Sequence, residues 1–154
     1  MELYIHYGST NFDPSYFAQV TNRDTLRVKP DGGLWASRVD VKYGWRDWCE
    51  NAEFGLESLK THFCFLITPA AKVFHLYTSK DLDRLPHRND CHDQWEFYPD
   101  FEQMVTDGWD AIELHLSDTD ISWGNDSLHF RLYGWDCDSI LIMNPKIVSP
   151  VTHI

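Results

Sequence analysis

Apolar and polar positions alternate from the first residues. Leu3, Ile5 and Tyr7 fall on one face and Tyr4 and His6 on the other, which predicts a strand over Leu3–Tyr7. Gly8-Ser9 ends it. Asp13-Pro14 supplies an N-cap and a proline for the first helical position, so a short helix is expected to run to about Val20. Lys29-Pro30-Asp31-Gly32-Gly33 is turn chemistry and leads into a short strand, Leu34 to Val39. From Tyr43 to Leu59 the period becomes helical. Trp45, Trp48, Cys49 and Ala52 recur at i, i+3, i+4 and i+7, with Arg46, Asp47, Glu50 and Glu53 opposite, and Gly55 weakens the far end.

Phe63 to Thr68 is nearly continuous and apolar, as in a strand buried on both faces. Lys72 to Thr78 reads as the next strand, paired to it across Pro69-Ala70-Ala71. Ser79 caps a short helix that Pro86 ends. Residues 87–96 read as polar loop. Asp100 and Gln103 form a capping-box pattern ahead of Phe101, Met104 and Val105, and Asp107-Gly108 is the stop. Strands follow at Ala111–Leu116, Leu128–Leu132 and Ser139–Met143, with a loop at 119–126 and an aromatic turn at 133–138; Pro145 limits the last strand. Strands with irregularly interspersed short helices predict a mixed α+β domain over residues 1–154 and not a doubly wound βαβ fold.

Composition narrows the function classes. A hydrophobic fraction of 43% with 24% charged residues is that of a folded domain. Twenty-four acidic against 13 basic residues give a net charge of -11, which disfavours nucleic acid and anionic membrane as partners. No apolar run approaches the ~18 residues of a membrane span, and the short, acidic, strand-like start leads us to expect no signal peptide. The 4 cysteines form no C-x-x-C pair, so free thiols in the cytoplasm are expected. His87, Asp90, Cys91, His92 and Asp93 cluster, but their spacing matches no standard zinc pattern. The 7 tryptophans suit either a core or a binding cleft.

Four segments carry a further signal: His6-Tyr7-Gly8-Ser9, Gly32-Gly33-Leu34-Trp35-Ala36-Ser37, Gly108-Trp109-Asp110-Ala111-Ile112, and Asp138-Ser139 through Asn144-Pro145-Lys146-Ile147. In order and spacing they resemble the His-Tyr-Glu branch of the ADP-ribosyltransferase fold. In that branch the first strand ends in His-Gly-Ser/Thr, a second carries an aromatic signature, and a late strand opens on Glu. The chain differs by the Tyr7 inserted before Gly8, by Trp at 35 and by Asp in place of Glu.

The resemblance implies a split, mainly antiparallel sheet with short helices, and NAD as substrate. His6 would hydrogen-bond the adenosine-side ribose. Backbone groups at Tyr7 and Gly8 would pin the carboxamide, with Ser9 or Ser37 adding a hydroxyl. Trp35 would stack on the nicotinamide. A carboxylate would stabilise the oxocarbenium-like ribose: Asp138 by topology, then Asp136, with Glu113 on the preceding strand as the alternative. The expected function is ADP-ribosyl transfer to a protein acceptor. The alternative is a non-catalytic module on the same scaffold, whose acidic, Trp-rich surface docks a protein partner; a nucleotide-derivative binder or hydrolase is a third.

Overall fold

The computed structural model describes residues 1–23, 28–88, 98–116, 132 and 134–152. Seven strands among them form one mixed sheet: β1 (Leu3–Tyr7), β2 (Leu34–Arg38), β3 (His62–Ile67), β4 (Val73–Leu76), β5 (Ala111–Leu114), β6 (Ser139–Ile142) and β7 (Val148–Val151). Three short α-helices accompany them: α1 (Trp45–Ala52), α2 (Ser79–Leu82) and α3 (Phe101–Thr106). The order across the sheet is β4-β5-β6-β2-β1-β3-β7. Every neighbouring pair is antiparallel except β4 and β5, which run parallel. The parallel pair requires a long crossover, and α2 and α3 lie within it. The fold is therefore the mixed α+β, mainly antiparallel one expected. No helix among the described residues is long and apolar enough to cross a membrane.

Strand alternation distributes the core over two faces. Ile140 and Ile142 of β6 share one face with Leu34, Ala36, Tyr4, Phe63 and Phe65. Leu141 points the other way, with Ile112, Leu114, Phe74 and Leu76, and there Leu82 of α2 and Phe101 and Met104 of α3 cover it. A sheet covered on both faces explains the nearly unbroken apolar runs in β5 and β6.

The shortest ladder lies between β1 and β2. It holds only the pairs Tyr4–Arg38 and Ile5–Ser37, and the strands then part at His6 and Trp35. Just before β2, Gly33 adopts φ 73°, and a Cβ there would fall 2.5 Å from Leu141 Cδ1. Only glycine serves this turn, because a side chain would collide with the core strand beside it.

Several expectations are corrected. The helix from Pro14 is one 3-10 turn, Pro14–Tyr16, with Asp13 as its cap. Beyond it the Ala18 carbonyl accepts the Gly33 N–H, and Thr21 exchanges hydrogen bonds with Asp31, so the chain is held extended. α1 ends at Ala52, which is exposed; Gly55 then opens a separate 3-10 turn, Leu56–Lys60. The strand at Lys72–Thr78 does not pair with β3. Both edges of β3 are taken by β1 and β7, and β4 instead aligns Phe74 and Leu76 with Ile112 and Leu114.

Some caps and strand ends also shift. The α2 cap is Thr78, whose N–H donates to the Asp81 carboxylate. Asp100 caps α3 through the Gln103 N–H, but the Gln103 side chain binds Asp107 and does not close the box. The strands predicted to reach Val39, Leu116 and Met143 end at Arg38, Leu114 and Ile142. The loop at 119–126, most of the strand at 128–132 and nearly all of the polar loop 87–96 lie outside the described residues.

Candidate functional site

Where β1 and β2 part, a cavity of about 280 Å³ opens on the Leu141 face of the sheet. Its walls are strand residues (Ile5, His6, Tyr7, Trp35, Ala36), Trp45 at the start of α1, and Trp135 through Cys137 just ahead of β6, with Lys29 alongside. Three separate stretches of chain thus supply three indoles.

The aromatic packing is specific. Trp35 and Trp135 meet edge to face with centroids 4.8 Å apart, a favourable quadrupole arrangement. The Lys29 ammonium lies 4.9 Å from the Trp35 ring and 5.7 Å from the Trp45 ring. It is a cation held between two indole faces. Burial pulls the Lys29 pKa down, while Asp136 on the same wall opposes that shift. Trp135 is 1% exposed, and among the described residues its indole N–H has no hydrogen-bond partner.

His6 sits at the parting itself. Its Nδ1 lies 2.6 Å from the Trp35 carbonyl oxygen. A carbonyl only accepts, so Nδ1 carries the proton. Burial pulls the His6 pKa down, which keeps the ring neutral. With Nδ1 protonated, Nε2 is the acceptor nitrogen of the ring, and among the described residues it has no hydrogen-bond partner. His6 also walls a second cavity of about 320 Å³, with Ser9, Phe12, Tyr16, Phe17 and Phe63. Gly8 turns the chain at φ 107° just after β1, a conformation that side-chain-bearing residues resist.

The sequence-predicted residues divide accordingly. His6, Tyr7, Trp35 and Asp136 come together at the first cavity, and Ser9 lines the second. Ser37 does not line either. Its hydroxyl donates to the Asp138 carbonyl at 2.8 Å and accepts the Trp45 N–H at 3.0 Å, tying α1 to the approach to β6. Asp138 is 5% exposed and does not line the cavity, and its N–H donates to the Tyr43 carbonyl. Glu113 points from the opposite face of the sheet. There Arg38 Nε donates to its Oε1 at 2.6 Å and the Tyr4 hydroxyl donates to Oε2 at 3.1 Å.

Lys29, Trp45, Trp135 and Cys137 escaped the sequence reading. Lys29 is a lone lysine ahead of a turn, Trp135 and Cys137 fall outside any periodic run, and the helical period marked Trp45 only as a helix-face residue; only the fold gathers them. Burial pushes the Cys137 thiol up to about 12, so it is no nucleophile at neutral pH. Of the histidine–cysteine cluster, His87 is described and residues 90–93 lie outside the described residues. Compared with protein families, with curated proteins and with solved structures, the chain matches none.

Proposed function

We propose that the cavity binds NAD and that the protein transfers ADP-ribose to a protein acceptor, with Asp136 as the working carboxylate. One observation carries this reading. His6, Trp35 and Asp136 are more than 100 residues apart along the chain at their extremes, yet they wall one cavity. The strands bearing or following them, β1, β2 and β6, are consecutive in the sheet.

The chemistry follows from the wall. Neutral His6 offers Nε2 as an acceptor for a ribose hydroxyl. The indoles of Trp35 and Trp45 suit a nicotinamide ring, and Lys29 between them suits the pyrophosphate, toward which it would move as the ring enters. In the reaction, the glycosidic bond to nicotinamide breaks as a bond from the acceptor nucleophile to the same ribose carbon forms. Nicotinamide leaves neutral, Asp136 stabilises the positive ribose between them, and the acceptor's proton passes to solvent.

A second reading, a non-catalytic module that keeps the cleft, is favoured by a different observation. No glutamate lines the described cavity, and its one carboxylate sits beside a lysine. Titration with NAD, followed by tryptophan fluorescence, tests both. Saturable quenching lost in Trp35→Ala and His6→Ala, together with label transfer from NAD, supports the transferase. Quenching without transfer supports the module. No binding at millimolar NAD sinks the NAD reading.

A further inference from the structure

On the face of the sheet opposite the cleft, three donor atoms converge. His75 of β4 and Glu113 of β5 are direct partners across the parallel pair. His115 follows Glu113 by two residues, so strand alternation returns it to the same side. His75 Nδ1 and His115 Nε2 are 2.9 Å apart. Glu113 Oε2 lies 3.5 Å from the first and 3.7 Å from the second. A point about 2.0 Å from all three atoms is the centre of that triangle, and this is the bond length of zinc to imidazole nitrogen or carboxylate oxygen.

The surroundings fit a ligand set. Arg38 and Tyr4 hold the Glu113 carboxylate by hydrogen bonds of 2.6–3.3 Å, fixing its direction as outer partners of metal-bound carboxylates do. The Tyr77 ring stacks on His115 at 4.3 Å with an interplanar angle of 10°, which fixes the imidazole plane. Glu113 and His115 are buried, whereas the His75 side chain is 38% exposed and lines an open cavity of about 220 Å³ with Tyr4, Arg38 and Val73. The cluster therefore has an entry path and room for water or a substrate atom. Two neutral imidazoles, one carboxylate and open positions form the donor set of zinc and iron(II) sites.

We propose that His75, Glu113 and His115 bind one divalent transition-metal ion of the zinc or iron(II) class, with its remaining positions open toward the cavity beside Tyr4 and Arg38. This site is separate from the cleft and stands or falls without it.

The test uses the full chain, stripped with EDTA and titrated with Zn2+ and, separately, with Co2+ as a spectroscopic probe. The expected result is one ion held per chain through this set. His75→Ala should weaken binding at least about tenfold and remove the visible Co2+ band. Because His75 is half-exposed, this variant keeps the core intact; His115→Ala is the second variant, and circular dichroism reports whether it folds. Metal content of protein grown with either ion distinguishes zinc from iron(II). Absence of Zn2+ and Co2+ binding in the unmodified chain overturns the proposal. Binding that His75→Ala leaves unchanged does so too, since the ion then sits on other histidines and the cluster is a hydrogen-bonded imidazole pair.

Discussion

The imidazole of His6 donates to the backbone carbonyl of Trp35, 2.6 Å away, at the point where β1 and β2 stop pairing. A side chain thus satisfies a strand carbonyl that the ladder has abandoned. It also sets the tautomer and makes Nε2 the acceptor nitrogen of a ring that lines two cavities.

Burial lowers the His6 pKa from its ordinary value of 6.5. Between the lowered folded value and 6.5 the unfolded chain binds more protons, so stability rises with pH across that window. The His6 contribution is fully present above 6.5 and is lost as pH falls toward the folded value. Urea midpoints taken on either side of the window should therefore drop on the acid side, and His6→Gln should flatten the difference. Equal slopes for the two proteins would show that other groups govern the acid limb.

Asp136 and Asp138 should separate cleanly. Asp136→Asn should abolish transfer from NAD while leaving the melting temperature near that of the parent. Asp138→Asn acts on a buried residue and should lower the melting temperature first. Transfer assays paired with thermal melts decide; the reverse pattern would return the catalytic role to Asp138.

In the proposed NAD complex, Lys29 between the Trp35 and Trp45 rings meets the pyrophosphate. Lys29→Met should weaken NAD binding by roughly tenfold, the scale of one lost hydrogen bond to a charged group. Nicotinamide alone should bind the variant no worse than the parent. Calorimetry with both ligands distinguishes loss of a phosphate contact from collapse of the indole wall.

The Ser37 hydroxyl bridges the Asp138 carbonyl and the Trp45 N–H inside the protein. Ser37→Ala leaves both without that partner and should cost about 1–3 kcal/mol. Denaturant unfolding measures it. A neutral result would mean that water replaces the hydroxyl.

Gly33→Ala should destabilise by about 1–3 kcal/mol or more, because it adds both a strained φ and an overpacked core contact. A paired Leu141→Ala variant removes the atom it would strike and should recover part of the loss. The double-mutant cycle reads the coupling directly.

Much of this architecture was legible in the chain. Alternation marked β1 and β2, the apolar runs marked β3, β5 and β6, and glycines marked their turns, because these signals are local. The same locality explains the failures. Asp13-Pro14 begins a helix whatever follows, but the hydrogen bonds that stop it come from Asp31 and Gly33. The β3–β4 hairpin looked natural from sequence adjacency, yet β3 already had two partners, and β4 gained more by aligning with β5.

The site divides in the same way. His6, Tyr7 and Trp35 were nominated through the resemblance carried by the segments His6-Tyr7-Gly8-Ser9 and Gly32 to Ser37. The choice between Asp136, Asp138 and Glu113 could not be made from their positions in the chain, since all three lie in or near adjacent strands. The fold separates them: alternation turns Glu113 to the opposite face, and Asp136, not Asp138, lines the cavity. What the sequence by itself determined is therefore the positions of β1 to β6 but not of β7, several of their turns, and the residue types available for chemistry. The tertiary structure alone decided which carboxylate meets the indoles, that Lys29 lies between two of them, and that His75 meets Glu113 and His115. Those meetings depend on strand order and facing, and no local pattern encodes either.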